Sequence, residues 1–176
     1  MSELTPGFDP ARDHWRGGGD APVTLLVFGD YQCPYTRIAE RVARRLLGVY
    51  GPSLRVAFRN LPLTEIHPRA LAAAAMAEAA GAPERFWVLH DTLFDHQDAL
   101  EDDDLRAYAA AAGVDPAAAD WGAIAARLQD DVRSAEASGA AGTPTLFVNG
   151  RLHVDGYKQP VLAAALERAG ATVADR

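Results

Sequence analysis

Val23-Thr24-Leu25-Leu26-Val27-Phe28 runs into Gly29-Asp30-Tyr31-Gln32, and then into Cys33-Pro34-Tyr35-Thr36. The first six residues are almost continuously apolar, the pattern of a central strand covered on both faces. A helix is predicted after the cysteine, because Ile38, Val42 and Leu46 recur every fourth residue. Arg37, Arg41 and Arg44 fall on its other side and read as a solvated basic face. Pro34 suits the first helical position, where its missing N–H costs nothing. Gly48 and Gly51-Pro52 end the helix. The next strand, Leu54 to Arg59, alternates apolar Leu54, Val56 and Phe58 with Arg55, Ala57 and Arg59. Half of such a strand sees water, which places it near a sheet edge.

Upstream, residues 1–20 read as an irregular arm that closes on Gly17-Gly18-Gly19. That glycine run follows no strand and opens no helix, so it is a breaker and not a phosphate loop. Downstream, the chain is helical from about His67 to Ser138. Pro68 and an alanine-rich run to Ala80 make one helix, and Gly81-Ala82-Pro83 breaks it. A second helix carries Phe86, Trp87, Leu89, Leu93 and Phe94. A third spans Asp102 to Ala112, and a fourth starts near Asp115-Pro116 or Asp120. Thr145-Leu146-Phe147-Val148 is then a strand, and Asn149-Gly150 is a strong hairpin-turn signal. Leu152 and Val154 alternate in the return strand, and a last helix covers Val161 to Arg168. A right-handed crossover makes the first two strands parallel. The terminal hairpin then pairs beside the first strand, giving a mixed four-stranded sheet in the order second, first, third, fourth. The alternating strands fall on its edges and the continuous apolar ones in its middle.

The 176 residues suit one domain with a real core, and 49% hydrophobic against 23% charged residues is a globular balance. A net charge of −7 argues against nucleic acid or an anionic membrane as partner, since both need clustered Lys and Arg. No apolar run approaches the roughly 18 residues of a membrane span. The first twenty residues lack the basic and apolar regions of a secretion signal. With one cysteine, no internal disulfide forms, which suits a reducing compartment and a cytoplasmic location.

Cys33 stands where a strand's carboxyl end meets a helix start, the place where open α/β sheets hold their ligands. As helix N-cap it faces unpaired amide donors and the positive end of the dipole, which favour the nucleophilic thiolate. Arg37, one turn on, adds positive charge. The plain alternative for Cys33 is a small buried hydrophobe. The five histidines are scattered without metal-ligand spacing, so no metal site is expected. His90 and His96 read as partly exposed helix residues. Glu101-Asp102-Asp103-Asp104 reads as a loop and helix N-terminus, where acids favour the dipole.

The segment Asp30 to Thr36 resembles the Cys-Pro-x-Cys site of DsbA-like thiol–disulfide oxidoreductases. Gly142-Thr143-Pro144-Thr145-Leu146-Phe147-Val148-Asn149-Gly150 is similar to that family's cis-proline loop and hairpin. The stretch Phe86-Trp87, His90, Leu93-Phe94 resembles its helical insertion. The resemblance implies a thioredoxin-like α/β fold, β-α-β then β-β-α, with one domain over residues 21–176 and a helical insertion over about 67–133. It implies a cis Thr143–Pro144 bond beside Cys33, with Pro34, Tyr35, Thr143 and Pro144 binding substrate. Thr36, however, stands where the family has its second cysteine, and Val27 where it has a buried acid. Cys33 alone forms a mixed disulfide and cannot resolve it, because internal resolution needs two sulfurs. The implied function is monothiol exchange on protein or peptide thiols and disulfides. Cys33 is the nucleophile, and the Thr36 hydroxyl bonds its sulfur or merely fills the helix surface. No bound cofactor is expected, and an external thiol such as glutathione resolves the adduct. The alternatives are a redox-inactive peptide-binding module and a glutathione-dependent transferase or isomerase, in which Ser-Pro-Tyr resembles Cys33-Pro34-Tyr35.

Overall fold

A computed structural model describes residues 2–174. The termini of the expected arm and domain, Met1 and residues 175–176, lie outside the described residues. The order is β1 (His14–Gly17), β2 (Val23–Gly29), α1 (Pro34–Tyr50), β3 (Leu54–Asn60), then the helices α2 (Ala70–Glu78), α3 (Pro83–Asp95), α4 (Asp102–Ala111) and α5 (Trp121–Ala137). β4 (Thr145–Val148), β5 (Arg151–His153) and α6 (Gln159–Arg168) complete it. This is the thioredoxin-like fold with helices inserted between β3 and β4.

The sheet runs β1-β3-β2-β4-β5, so the expected four-strand order is present and a fifth strand is added to it. β2 pairs parallel with β3, Val27 opposite Phe58, and antiparallel with β4, Val27 opposite Leu146. Period-two alternation sends the apolar residues of β2 to both faces. Val23, Leu25 and Val27 join Val56, Phe58 and Leu146 in the larger core, while Leu26 and Phe28 join Ala57 and Phe147 behind the sheet. Each fully buried Val, Leu or Phe among them contributes about 1.5–3 kcal/mol.

Residues 14–17 are not irregular: they form β1, antiparallel to β3. His14 stacks on Phe86 at 3.5 Å, and the Trp87 indole donates to the Trp15 carbonyl at 3.0 Å, fastening β1 to α3. β3 is therefore not an edge strand, and its charged residue Arg59 is fully buried. Its guanidinium donates to both Asp13 oxygens, Ser134 Oγ and the carbonyls of Pro6 and Gly7. All of its donors are used, which is how an arginine survives inside a protein.

The hairpin follows the sequence reading: Asn149 at φ 47° and Gly150 at φ 77° both take the left-handed backbone that a tight hairpin turn demands. Val154, expected in the return strand, lies beyond it and is exposed. α2 begins at Ala70, two residues after Pro68.

Candidate active site

α1 starts at Pro34 with Cys33 as its N-cap, as the sequence predicts. Thr36, Ala39, Glu40, Ala43, Leu46 and Tyr50 face inward at spacings of three and four. Ile38, expected among them, is instead half exposed. Gly29 permits the close approach of β2 to the helix start, since a Cβ there would lie 2.4 Å from the Phe58 ring and 2.7 Å from Thr36 Cγ2.

The loop before Cys33 is wound around Asp30. One carboxylate oxygen accepts from the backbone of Gln32 (2.7 Å) and of Cys33 (3.2 Å). This side chain-to-backbone turn is a common way to enter a helix. From the other side, Gln97 Nε2 donates to the carbonyls of Tyr31 (2.7 Å) and Cys33 (2.9 Å). The Tyr31 hydroxyl meets His90 Nδ1 at 2.9 Å, and His90 Nε2 meets Glu40 at 3.1 Å. Burial, reinforced by Glu78, Glu40 and Asp91, pushes the Tyr31 hydroxyl well above its ordinary range, so it keeps its proton. His90 is thus fully buried and doubly bonded, not partly exposed as its sequence context suggests.

The sulfur itself lies against the β4 loop. The Thr143–Pro144 peptide is cis, and the Cys33 thiol donates to the Thr143 carbonyl at 3.4 Å. Cys33 is only 3% exposed, whereas the neighbouring Tyr35 is 59% exposed. Thr143 Oγ1 is buried and finds no partner among the described residues. Tyr157, which sequence reasoning missed, packs partly buried against the main core. Burial pushes its hydroxyl up, and negative charge on Tyr35 or Cys33 acts in the same direction. It comes from the loop between β5 and α6, which no motif marks.

Two predicted roles are redistributed. Thr36 is neither a sulfur ligand nor surface filler: it is fully buried, and its hydroxyl accepts from the Asp30 amide at 3.4 Å. Arg37 pairs with Asp98, 3.9 Å away. Arg41 and Arg44 likewise meet Asp91 and Asp95 of α3 at 3.5–3.8 Å, so the basic face is matched by an acidic one. Glu101 and Asp104 cap α4 reciprocally, as expected for that acidic run.

A thioredoxin family model matches residues 10–168. The chain belongs to the thioredoxin family. Its fold is DsbA-like: the thiol–disulfide exchange protein alpha-DsbA2 of Wolbachia pipientis superposes with a TM-score of 0.80 at 20% identity, over 92% of this chain and 88% of that one. A thioredoxin-like oxidoreductase from Silicibacter pomeroyi gives a TM-score of 0.77 at 26% identity, over 92% and 93%. In sequence, the chain is 44% identical over 173 residues to a protein of Salinispora arenicola named Na(+)/H(+) antiporter NhaA 1. That match takes in 95% of this chain and 26% of the antiporter protein. The chain thus spans about a quarter of the length of the curated relatives it matches. Among the described residues no helix is long and apolar enough to cross a membrane.

Proposed function

We propose that the protein is a monothiol thiol–disulfide exchanger with Cys33 as nucleophile. The observation that carries this reading is the Cys33 sulfur, at the N-cap of α1 and 3.4 Å from the carbonyl before Pro144. In the thiol state its hydrogen occupies that carbonyl. A disulfide sulfur has no hydrogen to donate, so forming a mixed disulfide frees the Thr143 carbonyl. It then accepts from the N–H of an extended substrate, as in strand addition. The unpartnered Thr143 hydroxyl gives the substrate a second polar contact. Pro34, Tyr35 and Pro144 are assigned to the rest of the substrate site.

Thr36 supplies no second sulfur, so the adduct is resolved by an external thiol of the glutathione class, used as co-substrate. The partners are protein or peptide thiols and disulfides, and a thiol-rich cytoplasm is the setting in which such chemistry turns over. Family membership and the 26% identity to an oxidoreductase favour this enzyme over an inert binding module. Incubation with glutathione disulfide tests it: intact mass should show one adduct in the natural protein and none in Cys33→Ser. An unmodified natural protein would transfer the case to the binding module.

The 44% identity to an antiporter favours a second, compatible reading, in which the domain works alongside an Na(+)/H(+) antiporter. Cys33-dependent crosslinking to such an antiporter in membranes should then be seen; crosslinking indifferent to Cys33→Ser would discard it.

A further inference from the structure

Asp30 has a second oxygen, and what it holds bears on how the mixed disulfide is resolved. That oxygen accepts from the Leu63 amide at 2.8 Å and from His67 Nδ1 at 2.9 Å. One fully buried carboxylate therefore grips the Cys33 amide on one side and the His67 ring on the other. The loop carrying His67 is tied down again where the Arg69 amide donates to Gln32 Oε1 at 2.7 Å. With three backbone N–H donors aimed at it, Asp30 acts as an acceptor only, so His67 Nδ1 carries a hydrogen. The basic nitrogen of the neutral ring is then Nε2. His67 keeps 18% of its side chain exposed, and Nε2 makes no hydrogen bond with the described residues.

The other histidines are engaged differently. His90 is bonded at both nitrogens, His14 holds Glu78, His96 bonds the Thr92 carbonyl and His153 the Gly156 carbonyl. Val27 fills its place in β2 with an aliphatic chain, which accepts no proton. An incoming thiol must nevertheless lose its proton before it attacks.

We propose that His67, oriented by Asp30, is the base that deprotonates the external thiol resolving the Cys33 mixed disulfide. The inference rests on the monothiol reading. In the step, the thiol RSH gives its proton to His67 Nε2. The thiolate sulfur bonds to the partner's sulfur R′S, the Cys33 Sγ–S bond breaks, and its electron pair leaves on Cys33. The proton passes from His67 to the leaving sulfur or to water. One thiol and one disulfide enter, one of each leaves, and nothing is oxidised or reduced overall.

The test uses the full chain glutathionylated on Cys33, with release of glutathione followed at pH 7. Two probes are compared: 2-mercaptoethanol, mostly protonated at that pH, and thionitrobenzoate, already ionised. His67→Asn keeps an N–H for Asp30 but has no base. It should slow release by 2-mercaptoethanol at least tenfold, a floor set below the usual contribution of general-base catalysis of about 10²–10⁴. Release by thionitrobenzoate should stay within about twofold, since that thiol needs no base. Imidazole should restore the 2-mercaptoethanol rate in His67→Gly. Equal slowing of both thiols would make His67 a structural residue and overturn the proposal, as would no slowing of either. Failure of Cys33 to form the adduct at all would remove the monothiol reading, and the proposal with it.

Discussion

At the scale of single residues, the site differs from a dithiol site by two substitutions with different consequences. Thr36 is buried one turn after Cys33 and holds the Asp30 amide, so a sulfur there would sit within the same turn of α1. Thr36→Cys should therefore confer insulin reduction in the presence of dithiothreitol, whereas the natural protein and Thr36→Ser should show none above background. Val27, between Phe58 and Leu146, leaves no acid to serve that new thiol, so the gain should be modest. Robust insulin reduction by the natural protein would contradict the monothiol reading. Asp30 is the residue on which the loop depends. Asparagine offers one acceptor oxygen where the carboxylate uses two, and hydrogen bonds to a charged group contribute about 1.5–3 kcal/mol each. Asp30→Asn should lower the unfolding free energy by about 2–3 kcal/mol in a urea titration; an unchanged midpoint would show that the hub is dispensable. Cys33 and the Thr143–Pro144 loop were legible because each is a local motif. Asp30, His67 and Gln97 were not, because what unites them is a set of contacts between loops far apart in sequence.

At the scale of elements, legibility followed length and period. β2 and α1 announce themselves by apolar runs and four-residue spacing, and the hairpin by Asn149-Gly150. β1 is four residues, His-Trp-Arg-Gly, too short for a period to register. Missing it misplaced β3, whose alternating arginines look solvent-facing until β1 and Asp13 are brought against them. The buried Arg59–Asp13 pair is the energetic counterpart of that error, with both side chains fully inaccessible. Asp13→Asn would strand a buried guanidinium, a loss of about 3–5 kcal/mol. Thermal unfolding should detect it as a large fall in Tm, and a near-neutral substitution would refute the importance assigned to β1. α5 ends at Ala137 because Gly139 takes φ 74° after the Ser138 cap, and the Gly139 and Ala140 amides donate back to the Glu136 and Ala135 carbonyls.

For the whole molecule, the same pairs set its response to acid. Burial alone would raise the Asp13 carboxyl, but its hydrogen bond to Arg59, the Asp9 amide and the charges of Arg59 and Arg12 bring it below its ordinary value. Asp91 follows the same pattern through Arg16. A carboxyl depressed in the folded state stabilises it above the unfolded value, near 3.9, and that contribution is lost as pH falls through the folded value. Asp131, raised by burial, has the opposite sign and offsets part of the loss. The urea midpoint should thus fall as pH is lowered from about 4.5 to 2.5, with a shallower fall in Asp13→Asn. A midpoint flat over that range would contradict the assignment.

Turnover through one sulfur is read most directly in the steady-state exchange of a fluorescent peptide disulfide with glutathione. With Cys33 alternating between thiol and mixed disulfide, the initial rates should form parallel lines in double-reciprocal plots, the ping-pong signature. Cys33→Ser should fall to the uncatalysed rate. Exchange by the natural protein no faster than that in its absence, or undiminished in Cys33→Ser, would contradict the account.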